Sequence, residues 1–174
     1  MSAVIRLAEP ADAASLVALA EAVGAEPERW LIAGGKAPSV ADERRYLRSL
    51  RGYAGAAVLV ADVDGRVVAR LSIARDTHPA CAHVADLGLM VAREERRRGV
   101  GTQLLEAAVD WARARGVRKL ELHVFPHNEG ALALYRRFGF EEEGYRRGHY
   151  RRGADYVDAI LMAYAVESGP GSLG

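Results

Sequence analysis

Arg96-Arg97-Arg98-Gly99-Val100-Gly101 decides the reading of this chain. The stretch follows an apolar, strand-like run ending at Val91 and opens an amphipathic helix, where a chain exposes backbone N–H groups to an anionic ligand. Gly99 and Gly101 let the main chain approach closely without a Cβ, and the helix dipole favours negative charge at that end. The arginines add charge-assisted contacts. The segment is therefore predicted to bind phosphate, although glycine and arginine also begin ordinary surface helices.

Downstream, Val100, Leu104, Ala108 and Trp111 fall at spacings of three or four and line one apolar face of a helix from Gly99 to Arg115, which Gly116 stops. Leu120, Leu122 and Val124 then alternate with Glu121, His123 and Phe125, the pattern of a strand with two different faces. Strand, glycine loop, helix and strand make a βαβ unit, whose handedness rule sets the strands parallel and the loop at the carboxyl end of the first. Pro126-His127-Asn128 ends the second strand, and Asn128 caps a helix carrying Ala131, Leu134, Tyr135 and Phe138, closed by Gly139. By position alone Tyr135 reads as a core residue.

Arg96-x-x-Gly99-x-Gly101 followed by Asn128-x-x-Ala131-x-x-Leu134-Tyr135-x-x-Phe138-Gly139-Phe140 and Gly144 resembles the GNAT superfamily of acyl-CoA-dependent N-acetyltransferases. The resemblance runs from about Val58 to Tyr164, and more loosely to Ile5-Arg6-x-Ala8 with Asp12-Ala13. Many members have glycine where this chain has Arg97. The resemblance implies an α/β fold with a mixed, mostly antiparallel twisted sheet flanked by helices, its central parallel strands splayed at the cofactor site. It implies that acetyl-CoA lays its pantetheine arm along Leu89, Met90 and Val91, as an added strand would. The diphosphate would sit on the amides of Arg96, Arg97, Arg98, Gly99, Val100, Gly101 and Thr102, with Asn128 also on the cofactor side. Tyr135 corresponds to the general acid that protonates the departing thiolate; a phenol near pKa 10 can donate to a thiolate whose acid lies near 8.5.

The acceptor amine must lose a proton, and His123 and Asp86 are the candidate bases, with Glu121 third, acting directly or through a water. His123 lies where related ribosomal-protein N-terminal acetyltransferases place a catalytic glutamate, and its plainer reading is a structural hydrogen bond. A backbone N–H near Leu89 to Met90 would polarise the thioester carbonyl if the strand were bulged there.

Whole-chain figures point to a compact cytoplasmic enzyme. The chain has 174 residues, half of them hydrophobic, enough for one N-acetyltransferase domain over 1–167 and a flexible tail over 168–174. A single cysteine, Cys81, excludes an internal disulfide and leaves no zinc pattern, so no metal is expected. The amino terminus lacks a signal-peptide pattern, and no apolar run is long enough for a bilayer. A net charge of +1 argues against nucleic acid. Of the arginine pairs, Arg96 to Arg98 suit the CoA phosphates, including the 3′-phosphate, while Arg136-Arg137, Arg146-Arg147 and Arg151-Arg152 read as solvated positions.

The amino-terminal third reads as a strand from Ala3 to Leu7, a helix from Ala11 to Ala22 with Leu16, Leu19 and Val23 inward, and a helix from Val40 to Leu50 carrying Tyr46, Leu47 and Leu50. Between the helices Trp30, Gly34-Gly35 and Pro38 mark a loop that shapes a substrate entrance or covers the core. Val58–Val63 and Val67–Ile73 read as a hairpin about Asp64-Gly65, followed by a strand from Ala85 to Val91. Tyr145–Tyr150 and Val157–Met162 form another hairpin, which the resemblance sets beside the acceptor with Tyr150, Asp155 or Tyr156 in reach.

The expected activity is direct acetyl transfer from acetyl-CoA to a primary amine, on a small molecule or a protein N-terminus, by a monomer or a homodimer. Covalent catalysis is not expected, since no serine or cysteine lies in a nucleophile-elbow pattern. A dinucleotide oxidoreductase would need a third glycine where Leu104 stands. A non-catalytic acyl-CoA sensor is the stronger rival, because the cofactor motif would survive loss of catalysis.

Overall fold

Alternation and helical periodicity give way to the following elements in the computed structural model, which describes residues 3–32 and 37–167. Gly34-Gly35 and the tail from 168 lie outside the described residues. In chain order come β1 (Val4–Leu7), α1 (Ala13–Gly24), α2 (Val40–Ser49), β2 (Ala56–Val63), β3 (Arg66–Arg75), β4 (Val84–Val91), α3 (Val100–Ala114), β5 (Lys119–Val124), α4 (Glu129–Phe138), β6 (Glu141–Arg152) and β7 (Asp155–Ala165). The strands form one seven-stranded sheet in the order β1-β2-β3-β4-β5-β7-β6. β4 and β5 pair in parallel, whereas β1 with β2, β5 with β7 and β6 with β7 pair antiparallel.

The chain divides into two compact units, 1–72 with 89–107 and 73–88 with 108–174. β3, β4 and α3 contribute residues to each.

In the first unit, β1 registers Val4 against Asp62 and Leu7 against Leu59. Asp64 and Gly65 both adopt positive φ, 53° and 81°, the backbone of a two-residue hairpin turn whose twist matches the strands it joins. Ala13, Leu16, Leu47, Val58, Val60 and Val67 form a buried cluster, with Ala8, Val40 and Leu50 packed against it. Arg6 grips Asp12 at 2.8 Å and Asp62 at 2.9 Å, tying the turn before α1 to β2. Ser39 caps α2 by accepting from the Asp42 amide at 3.1 Å.

The inward face of α2 departs from the sequence reading. Tyr46 is 41% exposed, and Glu43 is buried instead. Glu43, Leu47 and Leu50 follow the i, i+4, i+7 spacing of one helix face, and Glu43 is tolerated there because Arg70 of β3 pairs with it at 2.8 Å.

In the second unit the parallel ladder registers Val84 to Asp86 against Lys119 to Glu121, and β5 runs on to Val124. Leu120, Leu122 and Val124 are buried as the alternation predicts, and Ala159, Ile160 and Met162 of β7 join them in the core. Gly116 ends the helix segment before β5 at φ 70°, and Gly139 ends α4 at φ 117°, a left-handed position that donates back to the Tyr135 and Arg136 carbonyls. On α4 the buried residues are Leu132 and Tyr135, with Ala131, Leu134 and Phe138 half-buried. β6 and β7 are each longer than the sequence patterns suggest. β6 carries register shifts between Glu142 and Gly144 and between Arg146 and Tyr150.

Candidate active site

Each unit carries one set of the candidate residues. In the first, the loop from Arg96 to Gly99 delivers the N-terminus of α3. Gly99 has φ 83° and Arg97 φ 63°, so two left-handed residues turn the chain sharply into the helix. The conformation at 97 gives a physical reason for the glycine common there in the resembling family. Gly99 has open space around its missing Cβ, with no atom within 4 Å among the described residues, so it is required for backbone conformation and leaves the approach clear. Gln103 donates to the Gly99 carbonyl at 3.1 Å as the helix closes its own bonds. The amides of Val100, Gly101 and Thr102 precede that bonding and remain as donors for an anion.

The three arginines of the loop serve different ends. Arg96 donates through Nε to the Val91 carbonyl at 3.0 Å and through both terminal nitrogens to the Glu26 carboxylate at 2.8 and 2.6 Å. Its guanidinium thus staples the end of β4 to the segment after α1. Arg96, followed by Trp30, holds Glu26 below the usual carboxylate range; the Trp30 indole donates to it at 2.9 Å. Arg93 pairs with Glu28 at 2.9 Å, a second tie to the same segment. Arg98 reaches the buried Glu95 at 3.3 Å, which Arg66 also meets at 3.2 Å. Arg97 and Arg98 are exposed. Leu89, Met90 and Val91 at the end of β4 are half-buried.

In the second unit, Tyr135 is buried on α4 beside Phe140, ring centroids 5.6 Å apart. Burial pushes its pKa well above the ordinary phenol value, so it holds its proton throughout the neutral range. Asn128 accepts from the Ala131 amide at 3.1 Å through Oδ1, capping α4 as its spacing predicts and leaving its amide nitrogen as a donor.

Asp86 of β4 and Glu121 of β5 are register partners, and both line an open depression of about 300 Å³ together with Arg75, Asp76 and Thr77. Crowding by protein, then the Glu121 charge, raises the Asp86 pKa to about 6. Glu121 is paired with Lys119 at 2.8 Å, and Lys119 also meets Glu143 at 2.7 Å.

His123, two residues further along the same face of β5, contacts the Tyr150 hydroxyl through Nδ1 at 2.9 Å. Its Nε2 is buried and has no hydrogen-bond partner among the described residues. Burial foremost, then the Arg146 and His149 charges, lowers its pKa, against an opposing pull from Glu121. The imidazole is thus neutral near pH 7, the form a general base requires. Tyr150 was legible as a hairpin residue, but its contact with His123 was not, since the two are far apart in sequence. Glu26 was likewise missed, because a single glutamate in an irregular segment carries no periodic signal.

Residues 23–140 match the acetyltransferase (GNAT) family. The chain is 38% identical over 109 residues to the L-amino acid N-acetyltransferase AaaT of Escherichia coli, covering 60% of this chain and 65% of that protein. It is 42% identical over 71 residues to the [ribosomal protein bS18]-alanine N-acetyltransferase of Salmonella typhimurium, covering 41% of this chain and 48% of that one. The matches therefore span less than two thirds and about half of these curated relatives. A crystal structure of an acetyltransferase of the GNAT family from Streptococcus pneumoniae superposes with a TM-score of 0.85 at 29% identity, over 95% of this chain and 99% of that one.

Proposed function

The chain belongs to the acetyltransferase (GNAT) family, and from that premise we propose that it moves the acetyl group of acetyl-CoA to a primary amine by direct attack. The observation that carries this reading is the left-handed turn at Arg97 and Gly99, which sets the amides of Val100, Gly101 and Thr102 at the open start of α3. Such a turn fits a diphosphate and leaves exposed arginine for further phosphate. The thioester supplies the acetyl group. The strand end at Leu89, Met90 and Val91 lines the pantetheine arm, and Asn128 contributes its amide nitrogen on the cofactor side.

His123, neutral and with Nε2 unpartnered, takes the proton of the acceptor amine; Asp86 is the second candidate and Glu121 the third. Tyr135, kept protonated by burial, gives its proton to the thiolate as the C–S bond breaks. The net result is one proton moved from amine to thiol, with the imidazolium and phenolate reset through solvent.

The acceptor is a primary amine, carried by a small molecule or by a protein N-terminus. The relatives' names, an amino-acid acetyltransferase and a ribosomal-protein alanine acetyltransferase, support both. Residues 1–167 act as one domain, in the cytoplasm; no described helix is long and apolar enough to cross a membrane. A non-catalytic acyl-CoA sensor is the alternative. It would not need a protonated phenol and a neutral imidazole on α4 and β5.

The test is thiol release from acetyl-CoA with a panel of amino acids, polyamines and peptides bearing free N-termini. Acceptor-dependent release is expected. Tight acetyl-CoA binding with no release for any amine establishes the sensor instead.

A further inference from the structure

We propose that Tyr150 is a positioning residue for His123: its phenol oxygen accepts from Nδ1–H, so that Nε2 carries the lone pair offered to the acceptor amine. This rests on the reading of His123 as the base.

The geometry is built across β7. His123 registers with Leu161, and Tyr150 registers with Val157, so the two side chains rise from β5 and β6 on either side of β7. Ala159 is the residue of β7 between those registers on the same face, and its methyl leaves room for the side chains to meet at 2.9 Å. The bulge between Arg146 and Tyr150 places three residues of β6 opposite Asp158 alone. A bulge of this kind re-aims the side chain that follows it. Here it is pinned: the Asp158 carboxylate accepts from the Gly148 amide and from the Tyr145 hydroxyl, each at 2.6 Å, and Gly148 takes the left-handed φ of 56°. His149, in the bulge, lies 5.1 Å from the His123 ring and 4.7 Å from Tyr150.

An imidazole with one nitrogen held and the other buried without a partner has two choices of tautomer. With the proton on Nε2, a buried donor would lack an acceptor, which costs free energy. With the proton on Nδ1, the phenol oxygen satisfies it and the Nε2 lone pair stays unpartnered. When the amine N–H bond breaks and an N–H bond forms at Nε2, Nδ1–H remains bonded to the phenol oxygen, now in a charge-assisted bond that strengthens as the imidazolium forms. Tyr150 itself stays a neutral phenol, its pKa raised by burial and then by Asp86. The charges that face His123 are Arg146 and His149 from β6, which disfavour the imidazolium, and Glu121 from β5, which favours it.

The experiment is an imidazole ¹⁵N titration by NMR of the full chain with labelled histidine, the His123 signals assigned through His123→Gln. Wild type is expected to show the Nδ1–H tautomer. Tyr150→Phe is expected to relax it toward the mixture of a free imidazole and to lower the His123 pKa by about half a unit or more. The same variant loses about tenfold or more in kcat, keeps its KM for acetyl-CoA within about twofold, and displaces the acid limb of kcat/KM to lower pH. Asp158→Asn, which loosens the bulge without removing the phenol, is expected to shift the tautomer in the same direction. A tautomer and pKa unchanged in both variants overturn the proposal, as does full turnover by His123→Gln. A wild type that binds acetyl-CoA and acetylates no amine overturns the acetyltransferase reading, while the titration still decides whether Tyr150 sets the tautomer.

Discussion

At the scale of single residues, burial separates the roles of the titratable groups. Tyr135 loses solvent around its phenol and so keeps its proton, the state that the proposed general acid requires. Tyr135→Phe is expected to lower kcat by about 10²-fold or more with the affinity for acetyl-CoA within about twofold, read by steady-state kinetics and equilibrium binding. Wild-type kcat should show no falling alkaline limb below about pH 10, the ordinary phenol value. Asp86 is the converse case, a carboxyl whose pKa in the folded chain, about 6, lies above its ordinary 3.8. The native state then binds a proton that the unfolded chain has released. The group costs nothing below the lower value and progressively destabilises the fold as pH rises through the upper one. Asp86→Asn is therefore expected to raise Tm at pH 7 relative to wild type, with the gain shrinking toward pH 4, while the acid limb of kcat/KM that the proposal assigns to His123 survives. Tyr135 could be singled out from its motif, whereas the raised carboxyl pKa could not, because the crowding that desolvates Asp86 comes only with the fold and the Glu121 neighbour only through the parallel ladder.

At the scale of elements, the loop before α3 was legible from glycine and arginine alone, and the structure adds the reason for its conformation. Two left-handed residues stand within three positions, and only one of them is glycine. Gly99→Ala is expected to weaken acetyl-CoA binding and to cost about 1–2 kcal/mol by forcing a Cβ into the left-handed region, a conformational cost rather than a clash, since no neighbouring atom obstructs the new methyl. Arg97→Gly relieves the same strain at its own position and should hold the diphosphate nearly as well as wild type. Calorimetry on both variants checks the pair. On α2 the sequence pattern misassigned a face: apolar Tyr46 points out, and Glu43 points in because Arg70 is there to meet it. Removing one partner of a buried pair strands the other, so Glu43→Ala is expected to lose about 3 kcal/mol in denaturant unfolding. Hydrophobic periodicity counts polar residues as outward and has no means of registering a partner supplied by a strand.

At the scale of the whole molecule, the binding class is the property to measure. Acetyl-CoA and CoA are expected to raise the unfolding temperature, a ligand at about one hundred times its Kd contributing about 2.7 kcal/mol, while NAD and NADP leave it unchanged. A shift with the dinucleotides alone would remove the family's chemistry from this chain. Sedimentation distinguishes the monomer from the homodimer. The order of strands and helices, the glycine-arginine loop before α3, the cap of α4 by Asn128 and the position of Tyr135 were all written locally, in spacings of two, three and four residues and in the glycines that end helices. Such signals need only the neighbouring backbone to act. The Glu43–Arg70 pair, the grip of Glu26 on Arg96, the raised Asp86 and the meeting of Tyr150 with His123 were decided only by tertiary structure. Each depends on two groups distant along the chain being brought beside one another, and only that approach supplies the partner.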